Sequence, residues 1–88
     1  MPFDRLKMAG VRTVGTKQTT RAVETGKARV VYVARDADER VTARLVRLCS
    51  DLGVEVVWID DMASLGKACG IEVGTASAAV LEEDASAG

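Results

Sequence analysis

The sequence predicts an α/β fold in which helices cover both faces of a sheet. Two observations carry this. Helical and extended apolar patterns alternate along the chain, in the order helix, short strand, helix, strand, helix, strand, helix, strand. The runs 29–34 (Arg-Val-Val-Tyr-Val-Ala) and 54–59 (Val-Glu-Val-Val-Trp-Ile) are also apolar enough for burial on both sides, as in a sheet sandwiched between helices.

Residues 3–9 read as a short helix with Phe3 and Leu6 on one face, stopped by Gly10. Residues 12–14 are extended. Gly15-Thr16 opens a second helix that runs to about Gly26, a residue suited to a left-handed C-terminal stop. After the strand at 29–34, Asp36 or Asp38 caps a third helix. Its expected stripe is Val41, Leu45, Leu48 and Leu52, with Arg40, Arg44 and Arg47 pointing elsewhere, and Gly53 ends it. Asp60 or Asp61 caps a fourth helix after the strand at 54–59, with Met62, Leu65 and Cys69 inward and Gly70 at its end. A loop, Ile71-Glu72-Val73-Gly74, precedes a last strand at 76–81. Residues 1–81 form one domain, and the acidic stretch 82–88 reads as a disordered tail.

With 88 residues and 48% apolar content, the chain supports one small core. Phe3, Tyr32 and Trp58 are its only aromatics, so Val, Leu, Ala and Ile must build that core. No apolar run approaches the ~20 residues of a membrane span, and the N-terminus lacks a signal-like stretch. A cytoplasmic protein without a membrane partner is expected. Histidine is absent, which removes the commonest general base and metal ligand. Cys49 and Cys69 fall on apolar helix faces and read as buried, reduced thiols. No catalytic constellation, cofactor or metal site is expected.

The net charge of −1 conceals a polarity. Residues 1–47 hold 11 Lys/Arg against 5 Asp/Glu, and residues 48–88 hold 1 against 8. One basic face is implied.

The segment Gly15-Thr16-Lys17-Gln18-Thr19-Thr20-Arg21 concentrates the candidate chemistry. Backbone N–H groups in a first helical turn lack intrahelical partners and suit phosphate oxygens. Lys17, Gln18 and Arg21 share a face by their spacing, and such side chains can donate to base edges. Ala22 and Val23 turn toward the core. Taken alone, the segment reads better as an ordinary solvated helix start with Thr16 as cap. It is not a Walker loop. In the loop Gly70–Gly74, burial of Ile71 and Val73 is the better reading on spacing. The alternative leaves them partly exposed at the tip, against an unstacked base. Arg35-Asp36 ends the central strand, where ligands often sit in such sheets.

Taken together, three segments resemble one family. They are Gly15–Ala22 as a helix-opening signature, Val33-Ala34-Arg35-Asp36-Ala37-Asp38 as a central strand end, and Leu65–Gly74 as a final helix and loop. They are similar, over residues 3–81, to the ribosomal protein L7Ae family of kink-turn RNA binders, and most to its short bacterial members. The resemblance implies a three-layer α/β/α sandwich with a mixed four-stranded sheet. It also implies a target, RNA bent sharply where tandem sheared G·A pairs adjoin a three-nucleotide bulge. Distorted RNA of this kind exposes edges that a regular A-form duplex hides.

By position, the resemblance gives Gly15 and Thr16 close backbone approach to phosphate. Lys17, Gln18 and Arg21 would contact the G·A guanines and nearby phosphates. Ile71, Glu72 and Val73 would lie against the bulge, and Lys67 near phosphate. Arg35 and Asp36 complete the candidate set. Archaeal and eukaryotic members that this chain resembles usually carry Asn-Glu where it has Lys17-Gln18, which bacterial relatives share; Lys is a longer, more flexible donor than Asn, so affinity and pair selectivity are expected to differ. The expected protein is a non-catalytic, monomeric binder of ribosomal or regulatory RNA. The alternative is a small nucleotide- or anion-binding domain that uses the Gly15-Thr16 helix start.

Overall fold

The structure, a computed structural model, describes residues 12–81. The expected helix at 3–9 and the expected tail at 82–88 lie outside the described residues. Within them the order is β1 (Arg12–Val14), α1 (Thr16–Glu24), β2 (Ala28–Ala34), α2 (Glu39–Leu52), β3 (Glu55–Ile59), α3 (Met62–Ala68) and β4 (Ser77–Leu81).

The four strands form one mixed sheet in the order β1-β4-β2-β3. β4 runs antiparallel to both β1 and β2, while β3 runs parallel to β2. The parallel pair follows from the intervening α2, because a parallel partner needs a crossover of about a dozen residues. β2 has no charged side chain from Val30 onward and sits inside the sheet with Val30 to Ala34 all buried.

The pleat of β2 divides the core into two layers. Val30, Tyr32 and Ala34 pack with Ile59, Leu65, Ala68, Cys69 and Ala78 beneath α3. Val31 and Val33 pack with Val23, Leu45, Cys49 and Ala79 beneath α1 and α2. This is the expected three-layer α/β/α sandwich. Among the described residues, no buried side-chain nitrogen or oxygen lacks a hydrogen-bond partner. Both cysteines are free and buried. Burial holds both thiols above their ordinary pKa, which keeps them protonated and unreactive.

Two expectations are corrected. On α2 the expected Leu45 is buried and Leu48 packs half-buried against the core, but Val41 is 49% and Leu52 55% exposed, and Thr42 and Cys49 complete the buried face with Leu45. Both stripes obey the helical period. The choice between them is set by Val31 and Val33 below the helix, and hydropathy does not encode that. Likewise β3 is not buried on both sides. It pairs with β2 alone, at the sheet edge, with Glu55 and Trp58 exposed and Val56 and Val57 half-buried.

The helix ends are chemically specified. Asp38 caps α2 by accepting the Arg40 N–H at 2.9 Å, and Asp61 caps α3 by accepting from the Ser64 N–H. α1 closes with the Lys27 N–H on the Ala22 carbonyl and the Gly26 N–H on the Val23 carbonyl, with Gly26 at φ 75°. That is a Schellman motif, which is why a glycine stands there. α3 closes in the same way, with Ile71 N–H on Gly66 and Gly70 N–H on Lys67.

The two caps also fix an acid sensitivity. Asp38 is held below the usual carboxylate value of 3.8 by its hydrogen bonds from the Arg40 side chain and backbone. Asp61 is held below 3.8 by the backbone N–H, then the hydroxyl, of Ser64. A carboxyl depressed in the folded state contributes stability above its unfolded pKa and loses it as pH falls through the folded value. Melting temperature should therefore decline as pH drops through and below 3.8. Asp61→Ala should lower it by a few degrees at neutral pH and make the acid decline shallower, as followed by circular dichroism. An unchanged acid decline would exclude this cap as a source.

Candidate nucleic-acid interface

The sheet register gathers the candidate residues at one end of the molecule. Val14 pairs with Ala78 and Val33 with Ser77, so the ends of β1 and β2 meet the start of β4. The Gly15 N–H donates to the Ser77 carbonyl at 2.9 Å, and the Thr16 and Ser77 hydroxyls hydrogen-bond at 2.8 Å. The buried Thr19 hydroxyl bonds that of Thr13 at 2.8 Å. These contacts fasten the first turn of α1 to two strands at once.

Gly15, not Thr16, is the N-cap of α1, and no side chain caps the helix. Thr16 instead spends its hydroxyl on Ser77. At φ 96° and ψ 152°, Gly15 occupies backbone space that side-chain-bearing residues rarely adopt. A Cβ there would meet no protein atom within 4 Å, so bare backbone faces outward.

The first turn carries no acidic residue, yet Lys17 lies in it. A cation at the positive end of a helix dipole opposes the dipole, at ~0.3–1 kcal/mol. An uncapped turn with a cation beside it is electrostatically unfilled, and an anion would relieve both costs. Lys17, Gln18 and Arg21 are all exposed, whereas Thr19, Ala22 and Val23 face the core. The expected division of faces on α1 therefore holds, with Thr19 added to the buried side.

Arg35 follows β2 directly and is exposed at the same end. Its guanidinium lies 6.0 Å from the Trp58 ring centroid and 3.9 Å from Asp60. Asp36 reaches the helix on the other side of the sheet, where it accepts the first-turn Met62 N–H at 2.8 Å while Asp61 remains the cap. Its side chain locks the β2 end to the start of α3.

The loop after α3 runs back along that helix. The Val73 carbonyl rests where a Cβ on Gly66 would stand, and a Cβ on Gly74 would come within 3.0 Å of Met62. The Thr75 N–H donates to the Met62 carbonyl at 3.1 Å. Arg12 reaches from β1 to the Cys69 carbonyl at 3.0 Å. Seated in this way, the loop presents Val73 at 71% exposure, with Glu72 exposed and Ile71 half-buried. Burial of both apolar residues, the better reading on spacing, is thus overturned for Val73. Lys67, Ile71, Glu72 and Gly74 line a shallow depression of about 500 Å³ with Ala63 and Ser64. Lys67 belongs to this side, on α3 beside its loop, and α3 packs on the opposite face of the sheet from α1.

Sequence reading missed Ser77, Thr13, Gly66 and Arg12. A serine inside an Ala/Val strand was the available signal for Ser77. Nothing in the pattern marked Gly66, whose role depends on a loop that returns to it.

An α/β/α sandwich that presents an uncapped, basic helix start beside a glycine-flanked apolar loop defines a small anion-facing recognition module. The chain belongs to the ribosomal protein L7Ae/L30e/S12e/Gadd45 family, which it matches over residues 4–87. It is 41% identical over 81 residues to an RNA-binding protein of Bacillus pumilus, covering 92% of this chain and 99% of that one. It is 47% identical over 68 residues to RNA-binding protein TTE2299 of Caldanaerobacter subterraneus, covering 77% and 83%. A solved 15.5 kD RNA-binding protein of Giardia lamblia superposes with a TM-score of 0.83 at 30% identity, over 96% of this chain and 71% of the other.

Proposed function

We propose that this protein is a non-catalytic RNA-binding protein that recognises kink-turns. The observation that carries the reading is the start of α1. There a left-handed glycine, an uncapped first turn and exposed Lys17, Gln18 and Arg21 are fastened to β1 and β4. Rigid donors of this kind suit a fixed phosphate and guanine geometry. Exposed Val73 offers an apolar surface to an unstacked bulge base. The relatives named as RNA-binding proteins support the same reading. In it, the chain acts as a cytoplasmic monomer on ribosomal or regulatory RNA.

The test is a gel-shift titration with a kink-turn hairpin and a control whose G·A pairs are replaced by Watson–Crick pairs. Preference for the kink-turn by tenfold or more, about 1.4 kcal/mol, is the expected result. Equal affinity would reduce the site to a generic basic patch. A thermal shift with ATP or GTP, and none with RNA, would replace it by a nucleotide site.

A further inference from the structure

Trp58 is the one indole of the chain and, among the described residues, the one exposed aromatic, at 43% exposure. It stands opposite Val33, which in turn stands opposite Ser77. Residues directly opposite in a sheet point to the same face. Val33 packs beneath α1 and α2, so Trp58 projects on the α1 side of the sheet. Two strand spacings of ~4.8 Å put its backbone about 10 Å from Ser77, the residue that anchors Gly15 and Thr16.

A cation accompanies the ring. Arg35 lies 6.0 Å from the indole centroid, at the outer limit of a cation–π contact. Its pairing with exposed Asp60, at 3.9 Å, is equally loose. Neither contact fixes the guanidinium, so it is free to turn toward a phosphate. An exposed aromatic beside a loosely held cation is the combination that holds single-stranded nucleotides, by stacking and charge together.

We propose that Trp58 and Arg35 form a second RNA contact, a stacking platform for an unpaired nucleotide that flanks the bent duplex. The base stacks on the indole and Arg35 takes the adjoining phosphate. This deepens the kink-turn reading and rests on it, since the platform extends the footprint from Gly15 across the sheet to β3.

The single indole makes the test direct. The full chain is titrated with a kink-turn hairpin closed flush at its stem ends, and with the same hairpin carrying short single-stranded extensions. Emission from Trp58 should be quenched by the extended hairpin and not by the flush one. The extended RNA should bind roughly tenfold tighter, and Trp58→Ala should remove that gain while leaving the flush hairpin unaffected. Trp58→Phe should keep part of it. Equal binding of the two hairpins by the native chain, with unchanged emission, overturns the platform. So does an emission shift that follows protein concentration without RNA, which would mark β3 as a protein-docking edge. If neither hairpin binds, it is the kink-turn reading that fails. A free single-stranded oligonucleotide then decides the platform, which stands if it quenches Trp58 and falls if it does not.

Discussion

The Lys17→Ala/Arg21→Ala double variant is expected to lose on the order of a hundredfold in affinity for a kink-turn hairpin, since each base or phosphate contact contributes ~1–3 kcal/mol. Both side chains are exposed and neither makes a hydrogen bond or ion pair with another of the described residues, so stability should not fall with affinity. Removal of Lys17 should even ease the helix slightly, because it ends the conflict with the dipole. The plot of log affinity against log salt should flatten by ~2 for two lost phosphate contacts. An unchanged slope with lower affinity would mean that both residues read bases only. Unchanged affinity would move the interface off α1 altogether. Gln18→Ala is the companion measurement. An uncharged donor leaves the salt slope intact, so a loss there isolates base reading from charge.

Gly66→Ala is expected to destabilise the protein by about 1–3 kcal/mol, the usual cost of overpacking. Helix propensity alone would give the opposite sign, because Gly66 lies within α3 and alanine is the better helix former by about 1 kcal/mol. Here the Val73 backbone occupies the space that the methyl group needs, and backbone yields far less than a flexible side chain. Relief requires the loop to lift, which strains the Ile71–Gly66 and Thr75–Met62 hydrogen bonds. Lifting the loop also displaces Val73, so kink-turn affinity should drop together with melting temperature. A variant as stable as the native chain would show that the loop does not rest on α3.

How much of this was legible in the sequence depended on what each residue needed from distant neighbours. The β2 strand, the α1 stop at Gly26 and the caps at Asp38 and Asp61 are local devices, and residue type alone placed them to within a choice of two. Asp36 shows the limit. It stood in the right place for a local cap but serves Met62, 26 positions away. The buried face of α2 was legible only in part: Leu45 and Cys49 read as inward, but Thr42 did not, because a threonine can line a core as well as a valine and an apolar stripe finds greasy positions rather than covered ones. The exposed arc of α1 was readable from spacing, but its anchoring was not. That anchor is Ser77, and 61 positions separate it from Thr16.

The strand order has a temporal consequence. β4, the last described element along the chain, is an interior strand, flanked by β1 and β2. During synthesis the earlier elements emerge first, with a gap where that strand belongs. Gly15 and Thr16 cannot be fastened until Ser77 arrives. A chain that lacks β4 would therefore present Lys17 and Arg21 on a helix whose first turn is not tied to the sheet through Ser77, and the ability to grip a rigid ligand is acquired only when the sheet closes.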